Sequence, residues 1–123
     1  MQPEVLPGLS VESMPPVRGV HVVAVGGTLG SETVADFRRH LDRARPRHSE
    51  RLVLDLTALH FIDSSGLAEL VLLLEHTEAA DGRLAIASDQ AQVTRVFETT
   101  GLAAILGLVT SREQAIDALA EGT

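Results

Sequence analysis

Three polar residues in a row, Asp63, Ser64 and Ser65, stand between a hydrophobic run and an amphipathic run. The run Leu52–Leu56 before them is typical of a buried strand, and the run Leu67–Leu74 after them is typical of a helix. A helix N-terminus has backbone N–H groups without intrahelical partners, and its dipole favours negative charge. Two hydroxyls and a carboxylate at this place can hold a phosphate group or receive one covalently.

The same residues also have a plain structural interpretation, which their types alone favour. Asp63 or Ser64 can cap the helix, and Gly66 lets another backbone approach closely. Aspartate, serine and glycine are ordinary turn residues as well. As a hydrolase nucleophile, Ser65 lacks the Gly-x-Ser-x-Gly elbow and a nearby base in the sequence, so we predict no enzymatic activity.

The composition of the 123-residue chain indicates one domain with an aliphatic core. Aromatic residues make up only 2%, so Phe37, Phe61 and Phe97 are the predicted bulky exceptions in that core. The net charge of −7 and the absence of lysine argue against nucleic acid or an anionic membrane as partners. The chain has no cysteine, and no apolar run reaches the ~18 residues of a membrane span. We therefore expect a cytoplasmic protein.

Other candidate sites are weaker than the Asp63–Gly66 turn. The segment Gly26–Gly30 lacks the Gly-Lys-Ser/Thr end of a phosphate loop, so we expect a flexible loop there. Asp55 and Asp63 lack a third ligand and no histidines pair on a helical face, so no metal site is predicted. Asp55 is instead expected to bind loop backbone at a strand end. The arginines within residues 38–51 are expected to form a solvated helix end, with contact to an acidic partner as the alternative.

The pattern along the chain predicts an α/β fold with the element order β-β-α-β-α-β-α-β-α. Strands alternating with helices indicate a mostly parallel sheet packed by helices, with an antiparallel edge at the N-terminus. Residues 1–8 are predicted to be a flexible tail, and residues 9–120 the domain. The predicted strands cover residues 9–12, 20–25, 52–56, 84–87 and 105–109, and the predicted helices follow Ser31, the turn 63–66, Gln90 and Ser111. Ser31 and Ser111 are expected to be N-caps, and Gly101 the C-cap of the third helix. Glu32 is placed to favour the helix dipole, and Glu69 is expected on the polar side of its helix.

Residues 52–67 read Leu-Val-Leu-Asp-Leu-Thr-Ala-Leu-His-Phe-Ile-Asp-Ser-Ser-Gly-Leu, and this segment resembles the signature of STAS domains. These domains are the family of bacterial anti-sigma factor antagonists. Residues 92–102 also resemble the family's third helix and its Gly-Leu exit. In element order and spacing, the resemblance extends over residues 9 to 120 and implies a single STAS-like domain.

The resemblance implies a function for Ser65, because it matches the second serine of the family motif. In well-studied members this serine is phosphorylated by the partner anti-sigma factor, a kinase of the histidine-kinase-like ATPase type. The chain would then be an anti-sigma factor antagonist that binds such a kinase, releases a sigma factor and is inactivated by phosphorylation. It would need no cofactor, because ATP and magnesium belong to the kinase, and a serine phosphatase would reset it. The alternative is a STAS scaffold or regulatory module of a stress-signalling or transporter complex.

The resemblance also implies a partner interface around Ser65, made by Asp63, Ser64, Gly66, Thr28 and Leu29. Family members commonly carry Gly-Glu-Leu-Asp where this chain has Gly27-Thr28-Leu29-Gly30, so both acidic residues are absent. A phosphate on Ser65 adds about −1.5 to −2 charge beside Asp63, which a docking partner must desolvate or repel. The predicted switch is therefore electrostatic: the unphosphorylated form binds and the phosphorylated form is released.

Overall fold

A six-stranded mixed sheet organises the computed structural model, which describes residues 4–6, 8–44 and 51–120. The strands are β1 (Glu4–Leu6), β2 (Leu9–Ser13), β3 (His21–Leu29), β4 (Arg51–Ile62), β5 (Arg83–Ala87) and β6 (Leu108–Val109). They lie side by side in chain order; β1, β2 and β3 pair antiparallel, and β3 to β6 pair parallel. The helices are α1 (Val34–Ala44), α2 (Ser64–Ala79), α3 (Ala91–Thr99) and α4 (Arg112–Leu119). The predicted α/β class and the antiparallel N-terminal edge are confirmed.

Successive side chains of the central strands point to opposite faces of the sheet, so the hydrophobic core is divided between the two faces. In β4, Leu52, Leu54 and Leu56 belong to the cluster that also holds apolar residues of α1, α2 and α3. Val53 points to the other face, where it packs in a cluster with Ile116 of α4. Successive side chains of a strand point to opposite faces, so a strand covered on both sides is apolar at nearly every position.

Local signals in the sequence correctly predict the ends of two helices. Ser111 is the N-cap of α4, and its hydroxyl accepts a hydrogen bond from the N–H of Gln114 at 3.1 Å. At the end of α3, Gly101 has a φ of 75°, and its N–H donates to the carbonyl of Glu98 at 3.1 Å. The N–H of Leu102 donates to the carbonyl of Phe97 at 2.9 Å, which completes a Schellman motif.

The prediction of a flexible loop at Gly26–Gly30 is wrong, because β3 continues through Leu29. This part of β3 pairs with the second half of β4, from Ala58 to Ile62, with two register shifts along the way. Gly27 has a φ of 89°, and a Cβ there would lie 2.5 Å from the carbonyl oxygen of Gly8. The glycines therefore permit a bulged strand whose backbone lies close to that of Gly8. The residue types of this segment alone do not reveal that it pairs with β4.

Three further expectations differ from the structure. No strand was predicted within residues 1–8, yet Glu4–Leu6 pairs with β2 across a turn where Gly8 has a φ of 78°. The last predicted strand, at 105–109, shortens to Leu108–Val109. Phe61 is 51% exposed rather than part of the core, because Leu59 and Ile62 occupy the core positions at this end of β4.

Replacing Gly101 by alanine should lower the free energy of unfolding by about 1 kcal/mol. A Cβ at Gly101 would meet no atom within 4 Å, so the cost comes from the left-handed backbone alone. Urea denaturation of Gly101→Ala and Gly101→Asn measures this effect. Asparagine tolerates a positive φ better than alanine, so Gly101→Asn should lose less stability. Equal losses of stability would contradict the conclusion that the left-handed backbone of Gly101 causes the cost.

Candidate functional site

The carboxylate of Asp63 closes the start of α2 and binds it to the turn that follows β3. Asp63 is the N-cap residue, and its Oδ1 accepts hydrogen bonds from the N–H groups of Ser65 at 2.9 Å and Gly66 at 3.1 Å. Its Oδ2 accepts a hydrogen bond from the N–H of Ser31 at 3.1 Å. One side chain therefore satisfies three backbone donors from two segments of the chain.

These hydrogen bonds hold the pKa of Asp63 below its ordinary value of 3.8. The N–H of Gly66 is the largest cause, burial acts in the opposite direction, and the N–H groups of Ser31 and Ser65 add to the lowering. A carboxylate that accepts several backbone hydrogen bonds is stabilised in its charged form. Asp63 is therefore ionised at neutral pH.

Two glycines allow the end of β3 to approach the start of α2. A Cβ at Gly66 would lie 2.2 Å from the carbonyl oxygen of Leu29, and a Cβ at Gly30 would lie 2.6 Å from Oδ2 of Asp63. The N–H of Asp63 also donates to the carbonyl of Leu29 at 3.2 Å. No larger residue at either glycine position leaves this contact intact.

The predicted site residues divide into exposed and buried groups. Ser64 is exposed and Ser65 is partly exposed, and within the described part of the chain neither hydroxyl makes a hydrogen bond. Thr28 is also partly exposed. Leu29 is fully buried in the core, and Gly66 is buried against the backbone of Leu29, so neither residue presents an exposed side chain here. Their place in a partner interface stays a prediction.

The helix α1 begins differently from the prediction, which gave Ser31 the role of N-cap. The N–H of Ser31 is instead bound by Asp63, and α1 starts at Val34. The carbonyl of Gly30 accepts the N–H groups of Thr33 and Val34, both at 2.9 Å. Contact with a residue 32 positions away in the sequence therefore overrides the local capping signal.

An open groove of about 560 Å³ lies beside the Asp63 cap. Its walls include Thr28, the aromatic ring of Phe61 and three acidic residues, Glu32, Asp36 and Asp63. Phe61 and Asp36 were not predicted to belong to a site, and Glu32 was assigned only a role at the helix dipole. Because the groove joins β3, β4 and the start of α1, no local sequence pattern identifies it.

Asp55 is a buried anchor that binds β4 to the start of α4. Its Oδ1 accepts hydrogen bonds from the N–H and hydroxyl of Thr57 at 2.9 and 2.7 Å, and its Oδ2 accepts from Nε of Arg112 at 2.7 Å. Burial raises the pKa of Asp55, but these donors outweigh it and hold the pKa below 3.8. In the described ranges, no group of three or more His, Asp or Glu residues is placed to hold a metal ion.

A second ion pair joins α1 to α2. Nε and Nη2 of Arg38 donate to Oε2 and Oε1 of Glu69 at 3.0 and 2.6 Å. Glu69 was predicted on the polar side of α2 and is 8% exposed. The bidentate pairing with arginine explains how its carboxylate is tolerated at that depth.

Asp63→Asn should lower the free energy of unfolding at pH 7 by about 1–2 kcal/mol. An amide has one acceptor oxygen, so it cannot serve both α2 and the N–H of Ser31. Because the pKa of Asp63 is lowered on folding, its contribution is present above the unfolded pKa and is lost as pH falls through the folded pKa. The difference between the two proteins should therefore shrink below about pH 4.

Urea denaturation between pH 7 and pH 3 measures this difference, and Asp89→Asn is the matched control. Asp89 is exposed and makes no side-chain hydrogen bond within the described residues. Its substitution should leave the unfolding free energy nearly unchanged. A difference between wild type and Asp63→Asn that stays constant with pH would contradict the role given to the ionised carboxylate.

Residues 13–115 match the family model of the STAS domain. Two curated relatives carry the name anti-sigma factor antagonist. The anti-sigma F factor antagonist of Paenibacillus polymyxa is 30% identical over 103 residues, which is 83% of this chain and 88% of that protein. BtrV of Bordetella bronchiseptica, also named as an anti-sigma factor antagonist, is 27% identical over 103 residues, covering 84% and 89% of the two chains.

Solved structures have the same fold at lower sequence identity. An anti-sigma factor antagonist from Mycobacterium paratuberculosis superposes with a TM-score of 0.77 at 24% identity, over 90% of this chain and 93% of that one. SpoIIAA of Bacillus in its phosphorylated form superposes with a TM-score of 0.58 at 22% identity, over 88% of this chain and 97% of that one. The murine anion transporter Slc26a9 gives 0.73 at 19% identity, over 85% of this chain and 18% of that one.

The family model covers most of the chain, and the site motif lies within the matched residues. The sheet and helices agree with the fold of the solved antagonists. No helix among the described residues is both long and apolar enough to cross a membrane. The chain belongs to the STAS domain family.

Proposed function

We propose that this protein is an anti-sigma factor antagonist, that its partner is a kinase-type anti-sigma factor, and that phosphorylation of Ser65 inactivates it. The observation that carries the proposal is the start of α2. Asp63 caps the helix there, which leaves the Ser65 hydroxyl without a hydrogen bond in the described part of the chain. The names of two relatives support the antagonist role. The phosphorylated form of SpoIIAA supports a covalent switch in a protein of this fold.

The reaction at Ser65 is transfer of the γ-phosphoryl group of ATP. The serine Oγ forms the new bond to phosphorus, ADP leaves, and the hydroxyl proton passes to a base on the kinase. The kinase supplies ATP and magnesium, so this chain acts as substrate and binding module and needs no cofactor. The helix dipole of α2 favours the added negative charge, so the fold tolerates the product.

Release of the phosphorylated protein from the kinase follows from the position of Ser65. A hydroxyl that accepts a phosphoryl group must lie against the γ-phosphate of bound ATP. Once Ser65 carries a phosphate, docking on an ATP-loaded kinase would bring two phosphate groups together and bury an unmatched charge. One such contact costs several kcal/mol, enough to weaken binding by about three decades. A serine phosphatase would restore the binding form.

The groove beside Asp63 supplies the recognition surface in this proposal. Phe61 is 51% exposed at the groove and provides an aromatic anchor, a residue type that often dominates interface energetics. The acidic side chain of Glu32 favours a partner with basic side chains around an apolar pocket, whereas Asp36 is already paired with Arg39. Glu32 also places acidic charge near Thr28, where the family's usual acidic residues are missing.

The alternative function is a STAS module within a transporter or stress-signalling assembly. This chain resembles part of the murine anion transporter Slc26a9 in fold, and at 19% identity the similarity indicates the fold alone. Neighbouring genes discriminate between the two. A gene for a kinase-type anti-sigma factor beside this one supports the antagonist, and a transporter gene supports the alternative.

Ser65 should gain one phosphate when the protein is incubated with a kinase-type anti-sigma factor from the same genome, ATP and magnesium. Mass spectrometry of the peptide carrying the Asp63–Gly66 turn measures this. Ser65→Ala should gain none, whereas Ser64→Ala, the matched neighbour, should still be phosphorylated at Ser65. Phosphate on Ser64, or on Ser65→Ala at another residue, would remove Ser65 from the proposal. The purified phosphorylated form should bind the kinase at least 100-fold more weakly.

Phe61→Ala should weaken binding to the anti-sigma factor about tenfold or more, because an exposed aromatic anchor is lost. Isothermal titration calorimetry measures the affinity, and urea denaturation should find nearly unchanged stability. Ile105→Ala is the matched control, since Ile105 is 61% exposed in the connection between α3 and β6. If the two variants bind alike, the groove is not the docking surface.

A further inference from the structure

Ser65 and Glu69 lie one turn apart on the same side of α2. Residues four positions apart on a helix have Cβ atoms about 5–6 Å from each other. A helical side chain covers the turn before its own Cα, so Glu69 covers the turn of α2 that follows Ser65, and its carboxylate is held by Arg38 of α1. A phosphate on Ser65 would therefore stand beside this carboxylate.

Arg38 binds Glu69 from the neighbouring helix and keeps part of its guanidinium available. Its Nε and Nη2 hold the carboxylate at 3.0 and 2.6 Å. Its Nη1 makes no hydrogen bond within the described residues, and its side chain is 59% exposed, against 10% for Glu69. A guanidinium has five N–H donors in a planar fork, so it can bind a second anion without releasing the first.

The anionic groups around Ser65 make contact with a cation such as Arg38 favourable for a phosphate. The carboxylate of Asp63 is already bound to three backbone N–H groups. Like charges four residues apart on a helix repel, so a phosphate dianion and Glu69 destabilise each other unless a cation lies between them. Asp42 and His76 line the space between α1 and α2 with Arg38. Asp42 adds negative charge there, which strengthens the need for the arginine.

We propose that Arg38 binds the phosphate on Ser65 and bridges it to Glu69. This inference rests on the proposed phosphorylation of Ser65 and deepens it. In the phosphorylated form, Arg38 joins α1 to α2 through two anions instead of one. It also neutralises part of the added charge within the molecule. Arg38 thus offsets the repulsion between the phosphate and Glu69.

The test uses the full chain with phosphoserine incorporated at position 65 during translation, so that no kinase is needed. Titration followed by ³¹P NMR gives the second pKa of the phosphate, which is ordinarily about 6. A bound guanidinium lowers this pKa. It should therefore be higher in Arg38→Gln than in wild type by about half a unit to one unit, a three- to tenfold change in proton affinity. Arg39→Gln is the matched control, because Arg39 pairs with Asp36 on the same helix.

A second pair of variants separates direct contact from the effect of an uncompensated Glu69. Glu69→Gln and the double variant Glu69→Gln with Arg38→Gln both lack the carboxylate. Any difference between their phosphate pKa values is therefore caused by Arg38. A higher phosphate pKa in the double variant supports the contact, and equal values overturn it. If a kinase leaves Ser65 unmodified while the NMR result holds, the proposed function fails and the Arg38 site stands as a property of the fold.

Discussion

The carboxylate of Asp63 is the contact on which the rest of this site depends. Its two oxygens accept N–H groups from the first turn of α2 and from the turn before α1, so two helices and the end of β3 meet at one side chain. The contact is possible because Gly30 and Gly66 leave room for it. A longer side chain at Asp63, or a Cβ at either glycine, would separate the elements that carry the site.

This arrangement divides structural and chemical roles among adjacent polar residues. A helix N-terminus needs one capping side chain, and Asp63 supplies it with extended backbone at φ −112° and ψ −173°. The hydroxyls of Ser64 and Ser65 are therefore not used for capping. Ser65 stands on a helical turn with its backbone N–H bound at 2.9 Å, which fixes the backbone from which its Oγ projects. Within the described residues, this hydroxyl is not part of the hydrogen bonding of the fold.

Local patterns predicted the α/β order, the N-cap at Ser111 and the C-cap at Gly101, because each of these depends on residues close in sequence. The features that the sequence did not predict depend on contacts between residues that are distant in the chain. The glycines of β3 look like a loop until their pairing with the end of β4 is known. The Arg38–Glu69 and Asp55–Arg112 pairs join residues 31 and 57 positions apart. Ser65 was identified through its family motif, whereas the groove at Phe61 needed the three-dimensional arrangement.

The charge distribution around Ser65 determines which way a phosphate on this residue would turn in the proposed switch. On one side, Asp63 leads to a groove where Glu32 repels a phosphate and attracts a basic partner. On the other side, Arg38 of α1 binds Glu69 one turn along α2, and its exposed side chain keeps an Nη1 that makes no hydrogen bond within the described residues. In the proposed switch, a phosphate on Ser65 turns away from the groove and toward Arg38. The same modification that blocks an ATP-loaded kinase would then be held by the protein itself, so phosphorylation acts on docking while leaving the sheet and its core unchanged.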